Sequence, residues 1–336
     1  MRRELTLIGA TAFALISVDG CGRFAGQPER SLSVWLLPLP GSPGGGAFLS
    51  PEAAMRYMIG ESIPLDSVSF RPSSVQPERP TYPMQDGAVL PPRVSILTTF
   101  QGSRYHPETI RALENDSAAL GAAAGAIARE AGERGANVLF IDLQGATSGE
   151  IRGLVAAVRA IADSARRYVP GGIGIILPPG DTAGYPTAIL ARVAPLLIAR
   201  LYGEHRAGTA PGPLASPQWI SRQLGMRAMD VGANRLVAEI PLFGYRWDRS
   251  GDARAVTFSE AQAMVRSEAG SFRRDPTSGF LTASGRDGWT VWISDARTME
   301  IMIDAVRRGG VTRIALAGID GADPEVWARL PAAVKR

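Results

Sequence analysis

Cysteine is almost absent: Cys21 is the only one in 336 residues. One thiol rules out an intramolecular disulfide, a CxxC zinc site, or a cysteine–histidine pair elsewhere in the chain. Histidine is nearly as scarce, with only His106 and His205, so a histidine-rich metal site is not expected. No cofactor or metal motif is present. Charge of one sign is also lacking, with 36 Lys and Arg against 32 Asp and Glu and a formal net charge of +4. No basic run carries the interleaved aromatics that follow a phosphate backbone, so nucleic acid is not an expected partner. No internal repeat occurs, and low complexity is confined to the loop Gly41–Gly46.

What is there is an ordinary globular balance, 45% hydrophobic and 20% charged, in a chain long enough to bury a large core. Length alone allows two domains, but a barrel of about 250 residues folds as one. The N-terminus has its own organisation. Met1, Arg2 and Arg3 precede the apolar stretch Leu5–Val18, and Asp19, Gly20 and Cys21 follow it. A charged n-region, a short h-region and a small residue before a cysteine resemble a bacterial lipoprotein signal. The stretch is short for a full membrane span. The expectation is a signal over residues 1–21, an exported protein of the periplasm or cell envelope, and Cys21 as a lipidated residue through which alone the protein would meet a membrane.

Beyond the signal, short apolar runs end in Gly, Pro or Asp and alternate with helix-like segments, the pattern of parallel strands with crossover helices. Eight strands are predicted at Ser33–Pro38, Ser67–Phe70, Val94–Thr99, Val138–Leu143, Ile173–Leu177, Leu196–Leu201, Leu236–Ile240 and Arg313–Ala317. Between the fourth and fifth, Ile151, Leu154, Val155, Val158 and Ile161 recur at helical spacing, and Gly171-Gly172 closes that segment. Ala-rich Ser117–Arg134 reads as another helix, ended by Gly135. Eight such units predict an α/β fold, a (β/α)8 TIM barrel from about residue 31 to 336. A small α+β insertion at about 249–300, between strands 7 and 8, is expected to contain a hairpin of Gly279–Ala283 and Trp289–Ile293.

Sites of such barrels lie at the C-terminal ends of the strands. The fourth strand reads Asn137-Val138-Leu139-Phe140-Ile141-Asp142-Leu143-Gln144. Further on come Leu201-Tyr202-Gly203-Glu204-His205, Pro211-Gly212-Pro213-Leu214-Ala215 and Trp219. Pro241-Leu242-Phe243-Gly244-Tyr245-Arg246-Trp247, Val291-Trp292-Ile293-Ser294-Asp295-Ala296 and Asp323-Pro324-Glu325-Val326-Trp327 complete the series. In this order the motifs resemble glycoside hydrolase family 18, the chitinase-like TIM barrels. That resemblance implies a fourth strand ending Asp-x-x-Asp-x-Asp-x-Glu, whose Glu protonates the leaving oxygen while the neighbouring Asp orients the substrate's N-acetyl group, a departure from the usual two-carboxylate scheme.

The chain departs from that pattern where the chemistry sits. Gln144 replaces the acid, Asn137 and Phe140 replace two further acids, Gly203 replaces the Asp after the strand-six Tyr, and Ala317 stands where many members carry a Trp. Losing a positioned general acid costs about 100- to 10,000-fold in rate. The expectation is a catalytically inactive homologue that binds a glycan containing N-acetylglucosamine, such as chitin or peptidoglycan, with little or no hydrolysis. Its candidate ligand residues are Asp142, Gln144, Tyr202, Tyr245 and Trp247. Asp142 and Gln144 are vestigial catalytic positions that either face the ligand or simply organise the loop. Glu204 is a candidate replacement acid, paired with Asp142, in the alternative of an active hydrolase with altered acid/base residues; otherwise it binds loop backbone. A second alternative is a non-binding scaffold of the cell envelope. Trp219, Trp289, Trp292 and Trp327 read as packing residues and Asp295 as a helix N-cap.

Overall fold

The structure, a computed structural model, describes residues 33–37, 59–64, 93–98, 115–133, 135–180, 182–318 and 321–335. The 1–21 signal and Cys21 lie outside the described residues. Eight parallel strands close into a barrel: β1 (Ser33–Leu37), β2 (Ile59–Pro64), β3 (Arg93–Thr98), β4 (Ala136–Asp142), β5 (Ile173–Leu177), β6 (Leu196–Arg200), β7 (Leu236–Pro241) and, last in the chain, β13 (Arg313–Ala317). β13 pairs with both β7 and β1, and β1 pairs with β2, which closes the ring. Seven of the eight predicted strands coincide with barrel strands to within two residues at either end. The second differs: Ser67–Phe70 lies outside the described residues, and β2 is Ile59–Pro64. Six residues of β2 pair in register with β3, so sheet pairing, not local apolarity, selects that segment.

Helix α1 (Ser117–Glu133) buries Ala123, Ala124, Ile127, Ala128 and Ala131, and α2 (Ile151–Ala165) buries Leu154, Val158 and Ile161. Both present one apolar stripe to the sheet, as the spacing of those residues dictates. A short helix, α3 (Thr187–Leu190), follows β5, and α4 (Pro217–Val231) follows β6. Inside the barrel the Phe140 ring of β4 lies over Gly174, its register partner on β5; a Cβ at Gly174 would meet that ring at 2.1 Å. The ring fills the space a side chain on β5 would otherwise occupy, below the barrel mouth.

Between β7 and β13 the chain builds more than the expected hairpin. Strands β8 (Gly244–Trp247), β9 (Ala253–Val256), β10 (Arg273–Arg274), β11 (Leu281–Ser284) and β12 (Thr290–Ile293) form an antiparallel sheet in the order β10-β11-β12-β8-β9. Helix α5 (Phe258–Ser267) covers one face through Phe258, Ala261 and Val265, which pack with Val256, Val291 and Ile293. The other face turns Tyr245, Ala255 and Trp292 to the barrel. The hairpin strands are β11 and β12, two of five. β8 begins directly after β7, so the added sheet grows from the rim itself. Helix α6 (Ala296–Arg308) then leads to β13, and α7 (Glu325–Lys335) closes the described chain. Asp295 caps α6, accepting a bond from the Thr298 N–H at 2.9 Å. Among the described residues no helix is long and apolar enough to cross a membrane.

Candidate functional site

β4 is an unbroken buried run, Val138–Ile141, that ends in Asp142, itself only 3% exposed. Alternate residues of a strand face the same side, so Asp142 stands above Phe140 at the mouth of the barrel. On the far side of β5, Arg200 ends β6 opposite Glu239, its register partner on β7. The arginine reaches back across β5. Its Nη1 and Nη2 donate to Asp142 Oδ1 at 3.2 Å and Oδ2 at 2.8 Å, while Nε donates to Glu239 Oε2 at 3.2 Å. Tyr202 donates its hydroxyl to Glu239 Oε1 at 2.8 Å, and the Arg200 guanidinium lies 5.2 Å from the Tyr202 ring centroid.

One guanidinium thus serves two buried carboxylates, in the forked geometry arginine favours. Burial pushes the Arg200 pKa down, but the charges of Asp142 and Glu239 outweigh it and hold the group well above its ordinary value. Burial raises the Glu239 carboxyl above the usual carboxylate range; Arg200 opposes this and Asp142 adds to it. Burial likewise pushes the Tyr202 hydroxyl well up.

Gln144 is partly exposed beside this cluster. Its Nε2 donates to Asp142 Oδ1 at 2.5 Å and to the Ile176 carbonyl at 3.3 Å. Both neighbours only accept, which fixes the NH2 end toward them and turns Oε1 the other way. Leu143 is held by Tyr185, whose hydroxyl donates to its carbonyl and accepts the Ala146 N–H at 2.9 Å, so the loop after β4 is anchored from β5's side.

The expected acid Glu204 is engaged elsewhere. Its oxygens accept the Ser216 N–H at 2.5 Å and the Ser216 hydroxyl at 2.9 Å, and Ser216 in turn caps α4. His205 Nδ1 lies 2.8 Å from the Ala210 carbonyl, within the same loop. Gly203 makes the turn into it with φ +103°, a conformation L side chains rarely adopt, so any side chain in its place would be strained. The carboxylate that shares Arg200 with Asp142 is Glu239, a residue the sequence reading did not single out.

Phe243 packs edge-on to Tyr202 at 5.3 Å and to Tyr245 at 5.8 Å, and Tyr245 to Trp247 at 5.8 Å, a ladder from the barrel mouth onto the added sheet. Tyr245 is half-buried. Trp247 departs from the expected stacking role: it is fully buried, and its indole N–H donates to the Thr209 carbonyl at 3.1 Å, which seats the loop after β6 on the ring. Ala317, at the end of β13, is buried and offers no ring to a sugar. Trp219 and Trp289 are buried, and Trp292 and Trp327 pack partly buried against the core. Among the described residues no group of His, Cys, Asp and Glu is arranged to hold a metal ion.

The closed α/β barrel superposes on solved chitinase-like proteins, and that likeness gives the class, a chitinase-like (β/α)8 barrel with the fold of glycoside hydrolase family 18. No family model matches the chain. The spore cortex-lytic enzyme SleL of Bacillus cereus superposes with a TM-score of 0.70 at 14% identity, over 91% of this chain and 75% of that one. A chitinase from Chromobacterium violaceum gives 0.68 at 16%, over 91% and 100%. In sequence the chain is similar to the uncharacterized glycosylase YvbX of Bacillus subtilis, 22% identical over 149 residues, 43% of each protein. The match spans less than half the length of the curated relatives.

Proposed function

We propose that the protein is an exported, chitinase-like barrel of the cell envelope that binds a glycan containing N-acetylglucosamine, chitin or peptidoglycan, with little or no hydrolysis. The observation that carries the reading is the state of Gln144 and Asp142. Gln144 gives its NH2 to Asp142 and Ile176 and keeps a carbonyl oxygen for the cleft. That oxygen can accept a bond from a sugar hydroxyl and has no proton to donate. Asp142 is tied to Arg200 by two bonds and is not available to orient a ligand's amide. Gln144 and the half-buried Tyr245 are the groups left to meet a ligand, with Asp142 and Tyr202 beneath them as the floor. Trp247 supports that floor from below the surface. Glycosylase and chitinase relatives of the same fold favour a carbohydrate ligand. Export, with Cys21 as the lipid-bearing residue, rests on the pattern of residues 1–21.

Calorimetric titration of the purified chain with N-acetylglucosamine oligosaccharides and with muropeptides, followed by mass analysis of the ligand, tests the reading. A saturable heat with intact ligand is expected. Shortened product would make the protein a hydrolase with altered acid/base residues, and silence across both ligand sets would make it a scaffold.

A further inference from the structure

The added sheet places a defined row of side chains on its barrel-facing side. Cross-strand register puts Arg273, Thr282, Trp292, Tyr245 and Ala255 directly opposite one another, from β10 to β9. Directly opposed residues share a face, and the other face, with Leu281, Ala283, Val291 and Ile293, is the one covered by α5. Adjacent strands lie about 4.8 Å apart, so Arg273 stands about 10 Å from Trp292 and about 14 Å from Tyr245. The row therefore runs from a partly buried ring pair, past the buried Thr282, to an exposed arginine on the sheet edge.

A second arginine stands near Tyr245. Arg206 opens a turn in which its N–H donates to Thr209 Oγ1 and the Thr209 hydroxyl donates back to its carbonyl, both at 2.9 Å. The Thr209 carbonyl accepts the indole N–H of Trp247, which lies against Tyr245, so the turn is seated beside that ring. Burial raises the Tyr245 hydroxyl, and the guanidinium groups of Arg200 and Arg206 oppose the shift, as groups near the ring must. Arg206 and Arg273 are both exposed. Among the described residues neither side chain makes a hydrogen bond or ion pair; Arg273 has Asp275 within electrostatic reach.

We propose that this wall selects a glycan that carries carboxylates, with Tyr245 and Trp292 against the sugars and Arg206 and Arg273 receiving the acid groups. The inference rests on the glycan-binding reading above. Of the two polymers it favours the one containing muramic acid, which carries carboxylates where chitin has none, on the lactyl ether wherever the stem peptide has been removed and otherwise on the peptide itself. A neutral chitin strand would offer neither guanidinium group an acid.

The test compares the free acid of a muramic-acid-containing glycan fragment with its methyl ester, titrated into the full chain. Exposed charge pairs are worth little each, so the free acid is expected to bind about fivefold to tenfold more tightly at low salt. That ratio should fall toward one in about 0.5 M salt, and in the Arg206→Gln/Arg273→Gln double variant at low salt. Equal binding of acid and ester by the native chain, or a ratio that survives the double substitution, overturns the selection. Failure of acid, ester and N-acetylglucosamine oligosaccharide alike to bind the native chain overturns the glycan-binding reading itself, and the selection with it.

Discussion

Replacing Gln144 by Glu is the perturbation whose consequence the site geometry fixes most tightly. The Nε2 it removes donates to Asp142 Oδ1 at 2.5 Å and to the Ile176 carbonyl at 3.3 Å, and both partners are acceptors. An ionised carboxylate there faces a like charge at hydrogen-bond distance in a partly buried setting, and both effects favour the protonated form. Arg200 reduces the repulsion without cancelling it, since its fork is already shared between Asp142 and Glu239. A rise of about two units over an unfolded value of about 4.3 is the expected scale, at about 1.4 kcal/mol per unit. A carboxyl raised on folding leaves stability intact below its unfolded pKa and removes it as pH rises through the folded pKa. Relative to the native chain, Gln144→Glu should therefore be near neutral at about pH 4 and about 2–3 kcal/mol less stable at pH 7. At about 2 °C per kcal/mol for a chain of this size, the loss is about 4–6 °C in Tm. Thermal unfolding of both proteins from pH 4 to 8, followed by circular dichroism, measures it. A constant Tm difference across that range would refute the argument, because it would mean that Asp142 and residue 144 do not share a proton-sensitive contact.

Three further substitutions probe the same structure. Arg200→Met leaves Asp142 and Glu239 buried without their cation, and urea unfolding at pH 7 should show a loss of about 3–5 kcal/mol that shrinks toward pH 4 as the carboxyls protonate. Glu239 is raised by burial, so its ionisation costs stability as pH rises through its folded pKa; Glu239→Gln should flatten the stability profile between about pH 4 and 7, and a profile as steep as the native one would contradict its assignment. Asp295 is partly buried, which raises its pKa, but the bonds from Arg274 and from the Thr298 side chain and N–H prevail and hold it below the usual carboxylate range. Its contribution is present above its unfolded pKa and lost as pH falls through the folded one; Asp295→Ala should cost about 1–2 kcal/mol at pH 7 by chemical denaturation, and less in strong acid.

How far the sequence carries depends on what each signal measures. β5 and β13 are apolar runs bounded by breakers, buried over nearly their whole length, and their limits are legible to the residue. β2 is not, because Ile59–Pro64 contains Gly60, Glu61 and Ser62 and owes its strand to pairing with β3. The added sheet is hard to read for another reason. β8 and β9 have four residues each and β10 two, too short for alternation to declare itself. At the site, Asp142, Gln144, Tyr202 and Tyr245 are brought to one mouth, as their places at strand ends suggest. Glu239 is hidden because it sits inside a run that reads as a plain apolar strand, Leu236–Pro241. What marks it is a charged residue in a buried strand, which must find a partner, with Arg200 ending the strand before it.

That pairing connects Gln144 and Gly203 with Arg200. With an amide at 144 and a glycine of φ +103° at 203, no acid remains at either position flanking Asp142 and Tyr202. Asp142 is still buried, and a buried carboxylate needs a cation or a proton. Arg200 supplies the cation, and Glu239, bonded by Tyr202, occupies the guanidinium's remaining edge. The result is a closed set of charges whose members satisfy one another across three strands. Restoring one carboxyl at 144 reopens that set without freeing Asp142 from its two bonds to Arg200. Gln144→Glu should for this reason change the pH dependence of stability long before it yields hydrolysis.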